Sequence, residues 1–494
     1  MKLTSLLGRA RVSLLAFLGL VSLAVSFDAS AIPIFARQTG FKCVACHVGG
    51  MYPQLTSLGR MFKLTGYTLG NANDIFNLTT NVDRPPVAVM VQTARQYYAN
   101  TKNYGTPGAP ATINGAAPSS AMDAQVFSVF AGGHITDNFG AFLQFTAGKY
   151  SGEQTSTANP GSTSGAWTGG SDNSEFRYAD RMVGKDTDLI YGVYINNRVL
   201  MSDVWNNMGP WQSGWINYFN TLSGPQAPTT FLMGETAQHT EVGVGAYLFK
   251  DKTWYAEFAV HKSPTHGPFS FLTSANPPSN TFNGSNGTVI DPSPFLRLAY
   301  NKEWGPESFE VGLHAMTTYA HGINQLTGSP QNSDYSAPVS TYRDIGLDAQ
   351  YQYVLDPHYF AAHARITRET MNNAFGSANY AGATASNPTD NLTETYADVT
   401  YIYKAKYGAL LQYQGATGSN DLGLYGMNTV TGSPDWSAWT PNIFWAPVQN
   451  VRIGYMYTFY TKMGGTTGNQ LTFSGASVSP HDFNTSMVYA TLIY

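Results

Sequence analysis

The fold is decided by a stretch that reads Asp-Ile-Gly-Leu-Asp-Ala-Gln-Tyr-Gln-Tyr, residues 344–353. Apolar and polar residues alternate along it without a break. A period of two is typical of a β-strand that has one face in apolar and the other in polar surroundings. The same alternation recurs in 241–248 and in 451–460. A chain with several such stretches predicts a sheet with one apolar and one polar face.

The composition favours a membrane barrel over other β-architectures. Only 12% of the residues are charged, aromatic residues reach 14%, and Gly (49) and Tyr (31) are abundant. No uncharged apolar run after the first 31 residues approaches the ~18–20 residues that a spanning helix needs. Low charge without membrane helices is typical of outer-membrane barrels. A secreted β-sandwich or a propeller array is the alternative, but no propeller-type repeat is visible.

Alternating segments are joined by short turns on one side and by long polar segments on the other. Short turns are predicted at 136–138, 184–186, 250–252, 305–306, 356–357 and 404–406, and long segments at 151–173, 263–290, 322–340, 371–391 and 463–480. This asymmetry is typical of barrels with periplasmic short turns. We therefore predict a mainly β fold, an antiparallel barrel of about sixteen strands. The predicted strand centres are Val91, Val129, Phe142, Tyr178, Val193, Val244, Phe258, Leu298, Leu313, Leu347, Ala364, Val399, Leu411, Ile443, Tyr455 and Tyr489.

Two strands call for comment. Pro441 and Pro447 flank the centre at Ile443, and proline is disfavoured inside a sheet. The last strand ends on Tyr494, with alternating apolar residues before it. A terminal aromatic of this kind resembles the insertion signal of outer-membrane proteins. An even number of strands would place both ends of the barrel in the periplasm.

Residues 1–31 are predicted to be an export signal. Lys2, Arg9 and Arg11 form a basic region, 12–25 is apolar, and Ala29-Ser30-Ala31 suits a cleavage site. Removing this segment takes away three basic groups and the acidic Asp28, so the formal net charge changes from −4 to −6. This charge excludes an ordinary basic nucleic-acid binder. We expect a mature protein in the bacterial outer membrane, with its barrel in 85–494 facing membrane lipid.

Cys43-Val44-Ala45-Cys46-His47 is the motif with the most specific chemistry. Cys43 and Cys46 are the only cysteines, and C-x-x-C-H is the attachment signal for one covalent haem c. His47 is then the predicted axial ligand of the haem iron. A zinc site would need further ligands, but His47 is the only histidine before His134. A thioredoxin-like redox motif would need a βαβ context, which is absent.

The segment 32–84 is predicted to be a small helical haem c plug inside the barrel. It is too short to bury an independent core. A helix is expected over 53–64, with Gly66 suited to its C-terminal end. Leu55, Leu58 and Phe62 would form an apolar stripe on that helix that could face the porphyrin.

Other residues of this segment are candidate haem contacts. Arg60 and Lys63 could pair with the haem propionates, or else be solvated or contact inward-facing barrel carboxylates. Met51 and Met61 are candidate second axial ligands. Met61 could equally be apolar packing, and a luminal His or Met of the barrel could serve instead.

Residues 32–70 resemble the monohaem cytochrome–porin fusions of the outer membrane, as in the iron-oxidising outer-membrane cytochromes of Fe(II)-oxidising bacteria. The resemblance rests on 36–40, 43–47, 53–55, 59–63 and 66–67. It implies a one-haem electron conduit that is an Fe(II) oxidoreductase in effect. Electrons would come from extracellular Fe(II) or another donor and go to a periplasmic c-type cytochrome or copper protein. Cys43, Cys46 and His47 match the motif directly.

Two other functions fit the sequence. The chain could be a haem-plugged porin for sensing or transport, or an outward conduit to an external acceptor. Sequence does not set the direction of electron flow, because the potential depends on the axial ligand and on solvent exposure. We identified no hydrolytic triad or phosphate-binding loop, which favours electron transfer or transport over hydrolytic or phosphoryl-transfer chemistry.

Overall fold

The computed structural model describes residues 33–50, 53–68, 86–98, 121–152, 167–208, 228–237, 239–264, 269–273, 288–321, 339–374, 385–425, 431–468, 471–473 and 476–494. Sixteen long strands form one sheet: β1 (Val87–Tyr98), β2 (Ala121–Thr136), β3 (Phe139–Gly152), β4 (Glu175–Val183), β5 (Asp188–Asn196), β6 (Val242–Lys250), β7 (Trp254–Lys262), β8 (Ser293–Trp304), β9 (Glu307–His321), β10 (Ser340–Leu355), β11 (His358–Asn372), β12 (Thr389–Tyr403), β13 (Tyr407–Gly418), β14 (Trp436–Trp445), β15 (Val451–Lys462) and β16 (Thr485–Ile493).

The sheet closes on itself as a barrel. Each strand pairs antiparallel with the next, and β16 pairs with β1, with Leu492 opposite Val91. The backbones of Val89 and Tyr494 exchange two hydrogen bonds of 2.7 Å at the seam. Each of the sixteen strands thus has a neighbouring strand on both sides, which a barrel in lipid requires because lipid offers no hydrogen-bond partners. Among the described residues, no helix is long and apolar enough to cross a membrane.

Short elements complete the described chain. Thr168–Ser171 pairs with β3 and Thr288–Val289 with β9, while Leu471–Phe473 and Ala476–Val478 form a separate hairpin. Three 3-10 turns cover Val199–Ser202, Ser270–Leu272 and Pro480–Phe483. The helices are α1 (Pro33–Thr39), α2 (Cys43–Cys46), α3 (Ser57–Leu64) and α4 (Leu422–Tyr425).

The predicted barrel is confirmed. All sixteen predicted centres fall within a strand, and the six predicted short turns join neighbouring strands. The two faces also alternate as predicted. In β10, Ile345 and Leu347 are 56% and 53% exposed, whereas Asp344 and Asp348 face the lumen and are buried. We call the two rims the short-turn end and the long-loop end.

Pro441 lies inside β14 rather than beside it. Its side chain is on the outward face, and it pairs with Leu411 of β13. On the other side, neither Thr440 nor Pro441 pairs with a residue of β15. The Thr440 and Thr458 hydroxyls, 2.9 Å apart, bridge this gap in the ladder. The strand tolerates proline because the missing N–H interrupts one ladder only locally.

The outer surface has the features of a membrane barrel. The strands run from 9 to 16 residues, long enough to cross a bilayer when tilted. An exposed apolar band includes Val244, Phe258 and Ile443. Near the short turns, exposed aromatics form a girdle of the kind found at membrane interfaces: Trp254, Trp304, Tyr401, Tyr407 and Trp445. The protein is therefore a bacterial outer-membrane β-barrel, as the sequence predicts.

The N-terminal helices lie in the lumen at the short-turn end. The predicted helix over 53–64 is wrong at its start, since α3 begins at Ser57. Residues before it are extended, because Leu55 pairs with His47 and Gln54 accepts a hydrogen bond from Val48 N–H. The predicted apolar stripe therefore loses Leu55. The predicted export signal, 1–31, and residues 69–85 lie outside the described residues.

Candidate functional site in the barrel lumen

The C-x-x-C-H motif forms one short helical turn. Cys43 and Cys46 are both free thiols, and a spacing of three places them on one side of α2. Cys43 is fully buried and Cys46 half-buried. His47 ends the turn, and its backbone N–H donates to the carbonyl of Cys43 over 2.8 Å. The two thiols and the imidazole thus come from five consecutive residues in the lumen.

Helix α3 is pressed against this turn. A Cβ atom added at Gly59 would lie 2.2 Å from the carbonyl oxygen of Cys46, so only glycine permits this approach. Thr56 links the same two elements. Its side chain accepts from Gly59 N–H at 3.3 Å, its hydroxyl donates to Ala45, and its N–H donates to Cys46 over 3.0 Å. Thr56 therefore caps α3 and fastens it to the motif.

Burial controls the state of the thiols. Desolvation raises the pKa of Cys43 to about 12 and that of Cys46 to about 11. Both groups are thus protonated thiols at neutral pH when no group is attached to them. They lie outside the membrane-spanning strands, in a plug whose surroundings are apolar enough to disfavour a thiolate.

Arg60 faces the barrel wall. Its guanidinium donates to Glu303 at 2.8 Å and to Gln352 at 3.0 Å, and also to Ser57 and the Leu55 carbonyl. This arrangement corresponds to the predicted alternative in which Arg60 contacts an inward-facing barrel carboxylate.

Lys63 faces the long segment between β5 and β6. Its ammonium donates to the carbonyls of Met201 and Asp203, over 2.6 and 2.8 Å. Desolvation lowers the pKa of Lys63 to about 8, although Glu175 and Asp203 act in the opposite direction. Both acceptors are backbone carbonyls of another luminal segment. Lys63 therefore ties the plug to that segment and not to a barrel carboxylate. Propionate contacts of Arg60 and Lys63 stay a prediction.

The candidate methionine ligands are placed differently. Met61 is partly buried and packs against an apolar cluster that includes Leu64 and Trp205. Met51 lies outside the described residues. A second axial ligand therefore stays a prediction, with apolar packing as the role that Met61 has in this structure. Within the described part of the chain, no three His, Cys, Asp or Glu side chains are arranged to hold a metal ion.

The plug contacts the wall on strands from β1 to β12. Within the plug, Phe35 stacks on Tyr67, and the Tyr67 hydroxyl donates to a wall carboxylate over 3.0 Å. The carbonyl of Leu64 accepts from a wall tyrosine over 2.5 Å. The contacted wall residues lie on eight different strands: Val87, His134, Phe142, Glu175, Tyr247, Glu303, Gln352 and Ile402.

A second luminal element was missed by sequence reasoning. Residues 197–208 and 228–237, from the segment between β5 and β6, lie inside the barrel. We call residues 197–208 the inner loop. Trp205 is 1% exposed, and Asn207 donates to Glu310 and to Asp348 over 2.5 and 2.8 Å. The available signal was the apolar run from Val199 to Met201 inside a segment that otherwise resembles a long loop.

The inner loop is held by a buried ionic cluster. Arg297 of β8 lies 2.9 Å from Asp348, 3.2 Å from Glu310 and 3.4 Å from Asp203. All four side chains are at most 1% exposed. Asp203 also accepts hydrogen bonds from three backbone N–H groups of its own loop. Since unpaired buried charges are costly, this cluster fixes the loop against the wall.

The residues present fit a c-type haem in the chemistry of their donors. Two neighbouring free thiols can form the thioether bonds, and an imidazole follows them directly. The pair has not been joined as a disulfide. The fit concerns Cys43, Cys46 and His47 alone.

The known proteins to which this chain is similar are found among solved structures. No family model matches the chain, and no curated protein matches it. Among solved structures, it is similar to OmpF of Salmonella typhi in complex with daunomycin, with 12% identity, a TM-score of 0.43, and coverage of 83% of this chain and 97% of that one. It is also similar to the outer-membrane channel DcaP of Acinetobacter baumannii, with 9% identity, a TM-score of 0.45, and coverage of 83% of this chain and 96% of that one. A third similar structure is an anion-selective porin from Comamonas acidovorans, with 9% identity, a TM-score of 0.42, and coverage of 83% of this chain and 98% of that one.

Likeness at this level says nothing of function. The identities and TM-scores are low, so the architecture of this chain rests on its own strand pairing. That architecture is a porin-like barrel of sixteen strands.

Proposed function

We propose that this porin-like outer-membrane barrel carries one covalent haem c and conducts electrons across the outer membrane. The observation that supports the proposal is the position of the C-x-x-C-H motif in the lumen, inside a plug that contacts eight wall strands. When bound, the haem supplies one-electron chemistry. By resemblance, the donor is extracellular Fe(II) and the acceptor a periplasmic c-type cytochrome or copper protein.

The chain's own residues provide the binding and the insulation. Cys43 and Cys46 would hold the haem covalently, and His47 would ligate its iron. Thr56 and Gly59 fix the motif against α3, and Arg60 anchors α3 to the wall through Glu303. The surrounding wall restricts water, which is how a buried site tunes a reduction potential.

A second candidate is transport of a small solute. The porin-like barrel favours it, because this architecture commonly forms a channel. Free diffusion is disfavoured, since the plug and the inner loop lie in the lumen and both bond to the wall. A haem-plugged porin for sensing or transport is therefore the alternative, and an outward electron conduit is a variant of the main proposal.

The double variant Cys43→Ala, Cys46→Ala tests haem attachment. We expect outer-membrane fractions of the variant to lack covalent haem staining, because no thiol remains elsewhere in the chain. The wild type, mixed with Fe(II) at acidic to neutral pH, should give the absorbance of reduced haem. A normal haem spectrum in the variant would refute the attachment. Passage of solutes without any haem reduction in the wild type would favour the porin.

A further inference from the structure

A groove lies on the outer, lipid-facing surface near the long-loop end. It has a volume of about 330 Å³. The alternation of the strands turns five of its residues outward in one row, from β7 to β11. Register places them side by side in the order Phe258, Leu296, Ala315, Ile345 and Arg368. The small Ala315 forms the floor, and Phe258 and Ile345, each more than half exposed, form apolar walls.

Two arginines flank the apolar part. Arg343 of β10 and Arg368 of β11 are exposed and line the groove. Arg343 pairs with Thr370, two residues beyond Arg368, so the two arginines are diagonal neighbours, with Cβ atoms roughly 7–8 Å apart. Among the described residues, neither guanidinium has a hydrogen-bond or ion-pair partner. Two flexible guanidiniums at this separation can grip one anionic group.

The depth of Arg343 matches a headgroup region, and Arg368 lies two residues deeper, level with Ile345. Tyr351 lies near the short-turn end of β10, and Arg343 precedes it by eight residues. The outward residues between the two are Ile345, Leu347 and Ala349. Eight residues span roughly 26 Å along a strand, or about 20 Å along the barrel axis at a tilt near 40°. This distance approaches the height of the apolar band of such barrels. An arginine on the lipid face is tolerated there, whereas it is costly at mid-depth.

The charge around the groove is of one sign. The row of Arg368 holds otherwise apolar residues, and Arg343 is flanked by Thr317 and Thr370. No carboxylate is therefore present in these rows to neutralise the two guanidiniums. Arginine binds phosphate oxygens through paired N–H donors, and an apolar groove accepts an acyl chain.

We propose that this groove binds a phosphate-bearing glycolipid of the outer leaflet. Its phosphate contacts Arg343 and Arg368, and one acyl chain lies over Ala315 between Phe258 and Ile345. The long-loop end faces the outside in outer-membrane barrels, so the groove meets the outer leaflet. The site is independent of the haem and of electron transfer.

Lipid binding is tested on the full chain in detergent by native mass spectrometry, with bisphosphorylated lipid A as the probe. Wild type should retain lipid A, and Arg343→Gln, Arg368→Gln should weaken binding at least tenfold. Arg181→Gln, at an exposed arginine near the short-turn end, is the matched control and should bind as wild type. Ala315→Leu fills the floor without a change of charge and should also weaken binding.

Three results would overturn the proposal. Equal binding of dephosphorylated lipid A would mean that acyl chains alone are recognised. Full competition by inorganic phosphate would identify a site for the free anion instead of a lipid. Undiminished binding in both the arginine double variant and Ala315→Leu would place the lipid elsewhere on the barrel.

Discussion

Gly59 is the residue on which the geometry of the motif most depends. Its hydrogen is the only atom that fits between α3 and the Cys46 carbonyl. We expect Gly59→Ala to push α3 away from the motif, at a cost of about 1–3 kcal/mol, because overpacked sites relax poorly. The measurements are trypsin resistance of the plug and haem content of outer-membrane fractions, and both should fall.

Gly468→Ala is the control for that substitution. Nothing lies within 4 Å of a Cβ at this position, so the variant should match the wild type. A Gly59→Ala protein with a fully resistant plug and normal haem content would show that the contact is not constrained.

Lys63 gives a pH dependence of defined sign. Burial lowers its pKa in the folded protein to about 8 from an ordinary value of 10.5. The folded state therefore releases this proton first as pH rises, and the free energy of unfolding increases between pH 8 and 10.5, by about 3 kcal/mol at most. Below pH 8, Lys63 is protonated in both the folded and the unfolded state, so this gain in the free energy of unfolding is absent.

Urea unfolding from lipid vesicles at several pH values measures this effect. Lys63→Met lacks the titrating group, so its stability should rise less with pH than that of the wild type. Lys250→Met, at an exposed site beside a short turn, should keep the wild-type slope. Identical slopes in Lys63→Met and wild type would contradict the assignment.

At the residue scale, the sequence predicts the haem-binding residues but not the residues that position them. Cys43, Cys46 and His47 follow from a motif of consecutive residues. Thr56 and Gly59 act through contacts with a turn ten or more residues away in the chain, which local patterns do not reveal. For the same reason, the sequence does not decide whether Arg60 contacts a haem propionate or a barrel carboxylate, because Glu303 lies 243 residues away.

The inner loop is the element whose position matters most for the lumen. Asp203 accepts three backbone hydrogen bonds within the loop and pairs with Arg297. We expect Asp203→Ala to release the loop from the wall, since three buried backbone N–H groups lose their acceptor, each at a cost of about 1–3 kcal/mol. Conductance of the protein in planar bilayers should rise severalfold.

Asp186→Ala, at an exposed short turn, provides the control and should leave conductance unchanged. If Asp203→Ala conducted as the wild type does, the inner loop would not be what narrows the lumen.

Strands were predictable as elements, whereas the inner loop was not. Each strand has an outward apolar face, so its period of two is visible in a single segment, as in 344–353. The inner loop has no such period, and its polar residues are satisfied by wall carboxylates from distant strands. The start of α3 was misplaced because a bridge between His47 and Leu55 prevails over the local preference of Pro53 for a helical first turn.

At the scale of the whole molecule, the barrel and its contents have separate roles. Closure between β1 and β16 makes a wall that is stable in lipid. The plug lies at the short-turn end with the inner loop next to it, and Lys63 joins the two. The closed wall thus holds the C-x-x-C-H motif inside the lumen, between the two rims of the barrel.

Electron transfer through proteoliposomes tests this account most directly. The full-length protein is inserted into vesicles that enclose oxidised cytochrome c, and Fe(II) is added outside. The account predicts reduction of the enclosed cytochrome c by the wild type and none by Cys43→Ala, Cys46→Ala. Equal rates with both proteins, or no reduction with the wild type, would contradict it.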